Sequence, residues 1–240
     1  MKIGILATGI TPDELIDQHG SYAEMLMQLF DHAQRQFEYE LFDVRDDVFP
    51  KDAVQCDGWI ITGSKFNVDD DYDWIVKLKQ LILDIDAADK PMVGICFGHQ
   101  IIAEAFGGKA EAYKGGWGVG LQRYDIVGEP RLIADAPESF AISAMHRYQV
   151  TEKPDNASLF AASDFCPYAG LVYGNNILTL QAHPEFNLQY EEALLTMRKG
   201  ITIPDDTADV GLATLHQNGA ATDSVSVAHW MADFLTGKAV

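Results

Sequence analysis

The sequence predicts an α/β fold built on a mainly parallel sheet that is covered on both faces by helices. Short apolar runs alternate with segments of helical periodicity through the first half of the chain, as strand–helix–strand units require. Several of those runs are apolar throughout, the pattern of strands buried on both faces. After Lys109 the helical period fades into short runs broken by Gly, Pro, Asn and Asp, which predicts a β-rich insertion in the second half.

In chain order, Ile3 to Ala7 reads as the first strand. The turn signals Thr11-Pro12-Asp13 follow, and residues 20 to 36 carry Tyr22, Met25, Leu26, Leu29 and Phe30 at helical spacing. Tyr39 to Val44 and Gly58 to Thr62 are further strands, and Trp74, Leu78, Leu81, Ile82 and Ile85 form the buried face of a helix. Pro91 to Ile95 is a strand that runs straight into Cys96 and a helix from about Gly98 to Phe106. In the β-rich half, Gly118 to Val127, Tyr148 to Thr151 and Leu159 to Ala162 are the clearest runs. Ile177 to Ala182 is a last buried strand, delivering His183-Pro184-Glu185 before a helix from Leu188 to Arg198. Beyond Pro204 the pattern predicts helices from about Thr207 to Gln217 and from about Asp223 to Leu235. With no internal repeat, the expected partition is one domain over residues 1–200 and a helical extension, 201–240, packed on it.

Composition narrows the partners. Lys and Arg total 17 against 36 Asp and Glu, a net charge of −19. Nucleic acid and anionic membranes both reward a basic surface, so neither is expected as a partner. The cysteines, Cys56, Cys96 and Cys166, are odd in number and form no CxxC pair, which fits a reducing, cytoplasmic setting better than a disulfide framework or a zinc site. The opening MKIGILATGI is apolar too briefly for a signal peptide, and no stretch approaches the roughly 18 apolar residues of a membrane span.

The sharpest motif is Gly94-Ile95-Cys96-Phe97-Gly98-His99-Gln100, set where a strand turns into a helix. A residue at such a turn projects beyond the carboxyl edge of the sheet, and flanking glycines let the backbone pass close to its neighbours. The helix that begins there aims N–H groups and partial positive charge at the sulfur, favouring the thiolate. Cys96 is therefore the candidate nucleophile; Cys56 and Cys166 have no such setting and read as small buried hydrophobes. Among the histidines, His183 is the candidate base, because it too ends a buried strand, and parallel strands present their carboxyl ends on one edge. Glu185, two residues on, is placed to hold the imidazole tautomer. His99 lies inside the new helix and reads as structural.

These two motifs, in this order, resemble the class I glutamine amidotransferases over roughly residues 1 to 200. Within that family the chain is similar to stand-alone proteins related to the amidotransferase domain of GMP synthase, a group that includes the γ-glutamyl peptidases. The resemblance implies a flavodoxin-like three-layer α/β sandwich in which Cys96, His183 and Glu185 form a triad. Cys96 would attack the γ-amide of glutamine, ammonia would leave with a proton from His183, and water would hydrolyse the γ-glutamyl thioester. The resemblance also implies an oxyanion hole formed by the backbone N–H groups of Gly63 and Phe97, with Gln100 binding the amino-acid end of the substrate. It implies no cofactor and no metal.

The sequence departs from the family at two places. Thr62-Gly63-Ser64 stands where Gly-Gly-Pro is more usual, keeping the key glycine. The segment Ser143 to Val150 resembles the loop, before a strand, that closes the glutamine pocket, but Tyr148 occupies a place where relatives of the GMP synthase domain carry Asp. Lys114-Gly115-Gly116-Trp117-Gly118 fits either a surface turn or part of the pocket rim. Asp69, Asp70 and Asp71 resemble a solvated cap at the start of a helix more than a metal site, since adjacent residues cannot all converge on one ion.

A small-molecule substrate, glutamine or another γ-glutamyl compound, is thus expected. An ammonia donor needs an acceptor, and with no ATP-binding or P-loop pattern in the chain that acceptor would be a separate synthetase subunit. A γ-glutamyl peptidase needs none. A catalytically silent binding or regulatory protein is the rival from another class, and the intact cysteine, histidine and glutamate weigh against it.

Overall fold

The computed structural model describes residues 1–128 and 137–238. In the first half the elements are β1 (Lys2–Ala7), α1 (Asp13–His19), α2 (Tyr22–His32), β2 (Glu38–Asp43), β3 (Gly58–Ile61), α3 (Asp73–Ala87), β4 (Met92–Ile95) and α4 (Phe97–Ala105). The second half holds β5 (Lys109–Ala112), β6 (Gly118–Ile126), β7 (Ser139–His146), β8 (Tyr148–Glu152), β9 (Ala157–Ala162), β10 (Gly170–Tyr173) and β11 (Ile177–Leu180), then α5 (Leu188–Arg198), α6 (Asp205–Leu215) and α7 (Ser224–Leu235). Residues 129–136 of the predicted β-rich insertion and 239–240 of the predicted extension lie outside the described residues.

One nine-stranded sheet runs in the order β2-β1-β3-β4-β11-β10-β9-β6-β7. The five strands from β2 to β11 are parallel to one another and carry the site. From β11 onward the sheet continues in antiparallel pairs. The β-rich half therefore extends the parallel sheet, and only β5 and β8 pair separately.

The sheet has a core on each face. On one side Leu26 and Phe30 of α2 and Val227 and Met231 of α7 meet Ile5, Ile60 and Val93. On the other, Leu78 and Ile82 of α3 and Ile101 and Ile102 of α4 meet Leu6, Ile61 and Met92. The three layers expected of an α/β sandwich are thus present, and each such side chain, once fully buried, contributes roughly 1.5–3 kcal/mol. No helix among the described residues is long and apolar enough to cross a membrane.

Several local expectations change. Helix α1 occupies the segment read as a turn: Pro12 holds the cap position, Asp13 and Glu14 suit the first turn, and with only Leu15 buried there was no apolar period to find. Ser143 to His146 are not a loop but the end of β7, followed by a tight turn at Arg147 into β8. Asp69 to Asp71 do not cap α3, which begins at Asp73; instead the Asp70 carboxylate accepts from the backbone N–H and side-chain amide of Asn67, closing a turn.

Candidate active site

Cys96 sits between β4 and α4 with φ 52° and ψ −103°, a left-handed conformation that a non-glycine residue adopts only under constraint. Its N–H donates to Leu180 O at 2.8 Å, which ties the elbow to β11. Gly94 and Gly98 make the turn possible: a Cβ on Gly98 would lie 2.4 Å from Ile61 O, and one on Gly94 would lie 2.7 Å from Gly98 O. The thiol is almost wholly buried and borders a cavity at the carboxyl end of the parallel strands.

His183, the candidate base, follows the adjacent strand. After β11 the chain bends so that His183 N–H donates to Ser143 O at 2.8 Å, and the Ser143 hydroxyl donates to Phe186 O at 3.0 Å. Those two bonds bracket His183 from both sides. Its Nδ1 lies 2.8 Å from Glu185 Oε1, and a carboxylate can only accept, so Nδ1 carries the proton and Nε2 is left for the thiol. Burial alone pulls the imidazole pKa down. The neighbouring charges of Glu185 and Cys96, together with the Glu185 hydrogen bond, outweigh it and hold His183 well above its ordinary value.

Gly63 faces this pair. A Cβ there would lie 2.6 Å from His183 Cε1 and 3.5 Å from Cys96 Cβ, so only glycine fits. Among the described residues neither the Gly63 nor the Phe97 amide donates to the protein. The turn is anchored without proline: Thr8 N–H donates to Thr62 Oγ1 at 3.0 Å, Thr8 Oγ1 donates to Thr62 O at 2.8 Å, and Ser64 Oγ donates to Thr8 O at 2.6 Å.

Gln100 and Tyr148 both line the cavity. The Gln100 side-chain amide donates to Tyr148 O at 2.8 Å and to Gln181 Oε1 at 3.1 Å, so the helix after the thiol and the start of β8 are joined across the pocket. Of the segment left open between turn and rim, Trp117 borders the cavity, while Gly116 N–H donates back to Tyr113 O in a turn. His99 is fully buried with Nδ1 2.8 Å from Thr179 Oγ1, away from the cavity lining, and burial followed by the neighbouring His146 pushes its pKa down to about 3. It stays neutral and structural.

Sequence reasoning gave no individual role to His146, Tyr22, Phe186 or Arg198, yet all four line the cavity. His146 is a neutral imidazole, its pKa lowered to about 3 by burial and by His183. Tyr22 keeps its proton, its pKa raised to about 12 chiefly by burial. These residues come from α2, β7, the loop after β11 and α5, and no spacing in the chain links them to Cys96.

A thiol elbow after β4 and an imidazole–carboxylate pair after β11 thus stand side by side at the carboxyl edge of two adjacent parallel strands of an α/β protein. The chain belongs to the class I glutamine amidotransferase family, which matches residues 14–202. It is 34% identical over 205 residues to gamma-glutamyl peptidase 5 of Arabidopsis thaliana, covering 82% of this chain and 81% of that protein. It is 27% identical over 178 residues to a subunit of the glutamine-hydrolyzing GMP synthase of Methanopyrus kandleri, covering 71% of this chain and 87% of that one. Its fold is similar to that of a glutamine amidotransferase from Thermotoga maritima, with a TM-score of 0.74 at 18% identity over 98% of this chain and 97% of that one.

Proposed function

We propose that the protein hydrolyses γ-glutamyl bonds through a thioester on Cys96, with His183 as base and Glu185 as its orienter. The observation that carries this is the pairing of His183 with Glu185 at 2.8 Å, beside the Cys96 elbow, within a single chain. His183 takes the thiol proton and the sulfur attacks the γ-carbonyl. The oxyanion of the tetrahedral intermediate accepts from the Gly63 and Phe97 amides, each such donor being worth about 3 kcal/mol in transition-state stabilisation. Nε2–H then gives its proton to the leaving nitrogen, the C–N bond breaks and the thioester remains. Water, deprotonated by the same imidazole, attacks the thioester; glutamate leaves and the sulfur regains its proton.

Glutamine is the simplest substrate of this chemistry, releasing ammonia. Similarity to gamma-glutamyl peptidases over four fifths of the chain favours a wider range, in which the leaving nitrogen belongs to an amino acid or peptide. Similarity to one subunit of a glutamine-hydrolyzing GMP synthase supports a second reading, ammonia supply to a synthetase. Steady-state release of glutamate from glutamine and from γ-glutamyl dipeptides by the isolated protein tests the proposal. Activity on both, lost in Cys96→Ser, supports it; silence toward both until a synthetase is added would restore the ammonia donor.

A further inference from the structure

The chain carries more than twice as many acidic as basic residues, yet the cavity over Cys96 is bordered by Lys65, Arg147 and Arg198 and by no Asp or Glu. Elsewhere among the described residues some cations form ion pairs, such as Arg35 with Asp233 and Lys79 with Glu104, while others, among them Lys51, Lys90 and Lys153, stand on the surface without one. Among the described residues Lys65, Arg147 and Arg198 have no such partner either.

They come from separate elements. Lys65 follows the Gly63 turn and lies 5.5 Å from the centroid of the Phe66 ring, Arg147 forms the turn between β7 and β8, and Arg198 ends α5. Arg198 is partly buried and its charge acts on the Tyr22 phenol, whose other charged neighbours are Cys96 and Glu185. Glu185 is engaged by His183; Asp69 and Asp70 act on the Tyr148 hydroxyl beside Arg147, and Asp70 is engaged by Asn67.

Free glutamine has one carboxylate, balanced by its own ammonium, and an uncharged leaving end. A γ-glutamyl amino acid has a second carboxylate on the leaving side. Three cations bordering one cavity, Lys65 and Arg147 on its exposed rim and Arg198 partly buried, exceed what glutamine needs, and a guanidinium presents a fork that matches a carboxylate. Building on the hydrolase reading above, we propose that Arg198 and Arg147, with Lys65, select γ-glutamyl compounds whose leaving group ends in a free carboxylate.

The test compares γ-glutamyl-alanine with γ-glutamyl-alaninamide, which differ only in that carboxylate. The wild-type protein is expected to favour the acid at least about tenfold in kcat/KM, mainly through KM, as for one charge-assisted hydrogen bond. Arg198→Gln or Arg147→Gln should bring the acid-to-amide ratio toward one, and Arg198→Lys should keep part of it; circular dichroism and thermal melting check that the variants fold. A ratio near one in the wild type, or a ratio unchanged in the variant lacking all three cations, would overturn the assignment while leaving the hydrolase reading intact. Cleavage of neither compound while glutamine is still hydrolysed would overturn the assignment alone; silence toward glutamine as well, or cleavage that survives in Cys96→Ser, would overturn both.

Discussion

The imidazole of His183 lies flat on the ring of Phe186, with 4.0 Å between centroids and 5° between planes. Phe186 is itself held by Tyr190 and Tyr22, at 4.5 Å and 5.3 Å. The stack fixes the plane of the ring while Glu185 fixes its rotation within that plane. Phe186→Leu keeps an apolar side chain but loses the flat support. It is expected to lower kcat about tenfold or more with little change in KM, since misplacement by about 1 Å costs up to 100-fold; steady-state kinetics checks it.

The three thiols should separate cleanly. Burial and the Glu40 carboxylate push Cys56 up to about 11, and burial pushes Cys166 up to about 12. Both remain protonated at pH 8, so iodoacetamide is expected to label Cys96 first, as peptide mapping would read out. Cys56→Ser and Cys166→Ser should keep near-normal rates, whereas Cys96→Ser should lose at least about 1,000-fold.

Glu185 raises the pKa of His183, so Glu185→Gln should move the alkaline limb of kcat/KM to lower pH. The sign for stability follows from the same shift. A histidine raised in the folded state contributes stability that is complete below its ordinary value near 6.5 and is lost as pH rises through the folded value. The melting-temperature gap between wild type and Glu185→Gln is therefore expected to narrow toward alkaline pH.

Glu191 behaves in the opposite sense to most carboxylates. It is fully buried, Gly120 N–H donates to its Oε1 at 3.0 Å, and burial raises its pKa from 4.5 to about 8. Below 4.5 both states hold the proton; between 4.5 and about 8 unfolding releases it, and stability falls by up to about 1.4 kcal/mol per pH unit. Glu191→Gln keeps an acceptor for Gly120 without the proton. Thermal melts should find it close to wild type at pH 4.5 and more stable at pH 9.

Gly63→Ala places a methyl group against His183 and Cys96 at the distances given above. Loss of at least about 100-fold in kcat is expected, comparable to removing an oxyanion donor. Melting should change little beside Gly98→Ala, whose Cβ meets the backbone of β3 and has no flexible neighbour to displace.

The parallel half of the fold was legible because strands such as Gly58 to Ile61 and Met92 to Ile95 are apolar throughout, and the Cys96 elbow was legible because glycines flank it. The side chain of His99 pointed away as expected, since one turn of α4 rotates it toward β11. Helix α1 was hidden because its stability comes from its ends rather than an apolar face. Strand β7 was hidden by its small residues, Ser139, Ala141, Ser143 and Ala144, which carry no β-rich signature. Arg198 was hidden for another reason: a basic residue in the last turn of a helix is ordinary, and only the tertiary fold brings it to the cavity over Cys96.

The pairing of Ile95 with Leu180 across β4 and β11 joins two strands that the ribosome makes far apart in time. At about 5–20 residues per second, the elbow thiol emerges several seconds before its histidine. On the mechanism proposed above, the nascent chain carries the Cys96 thiol without its proton acceptor until the seam between those strands closes. On that reading a misassembled chain exposes only an ordinary thiol, without the base that would turn it on γ-glutamyl compounds.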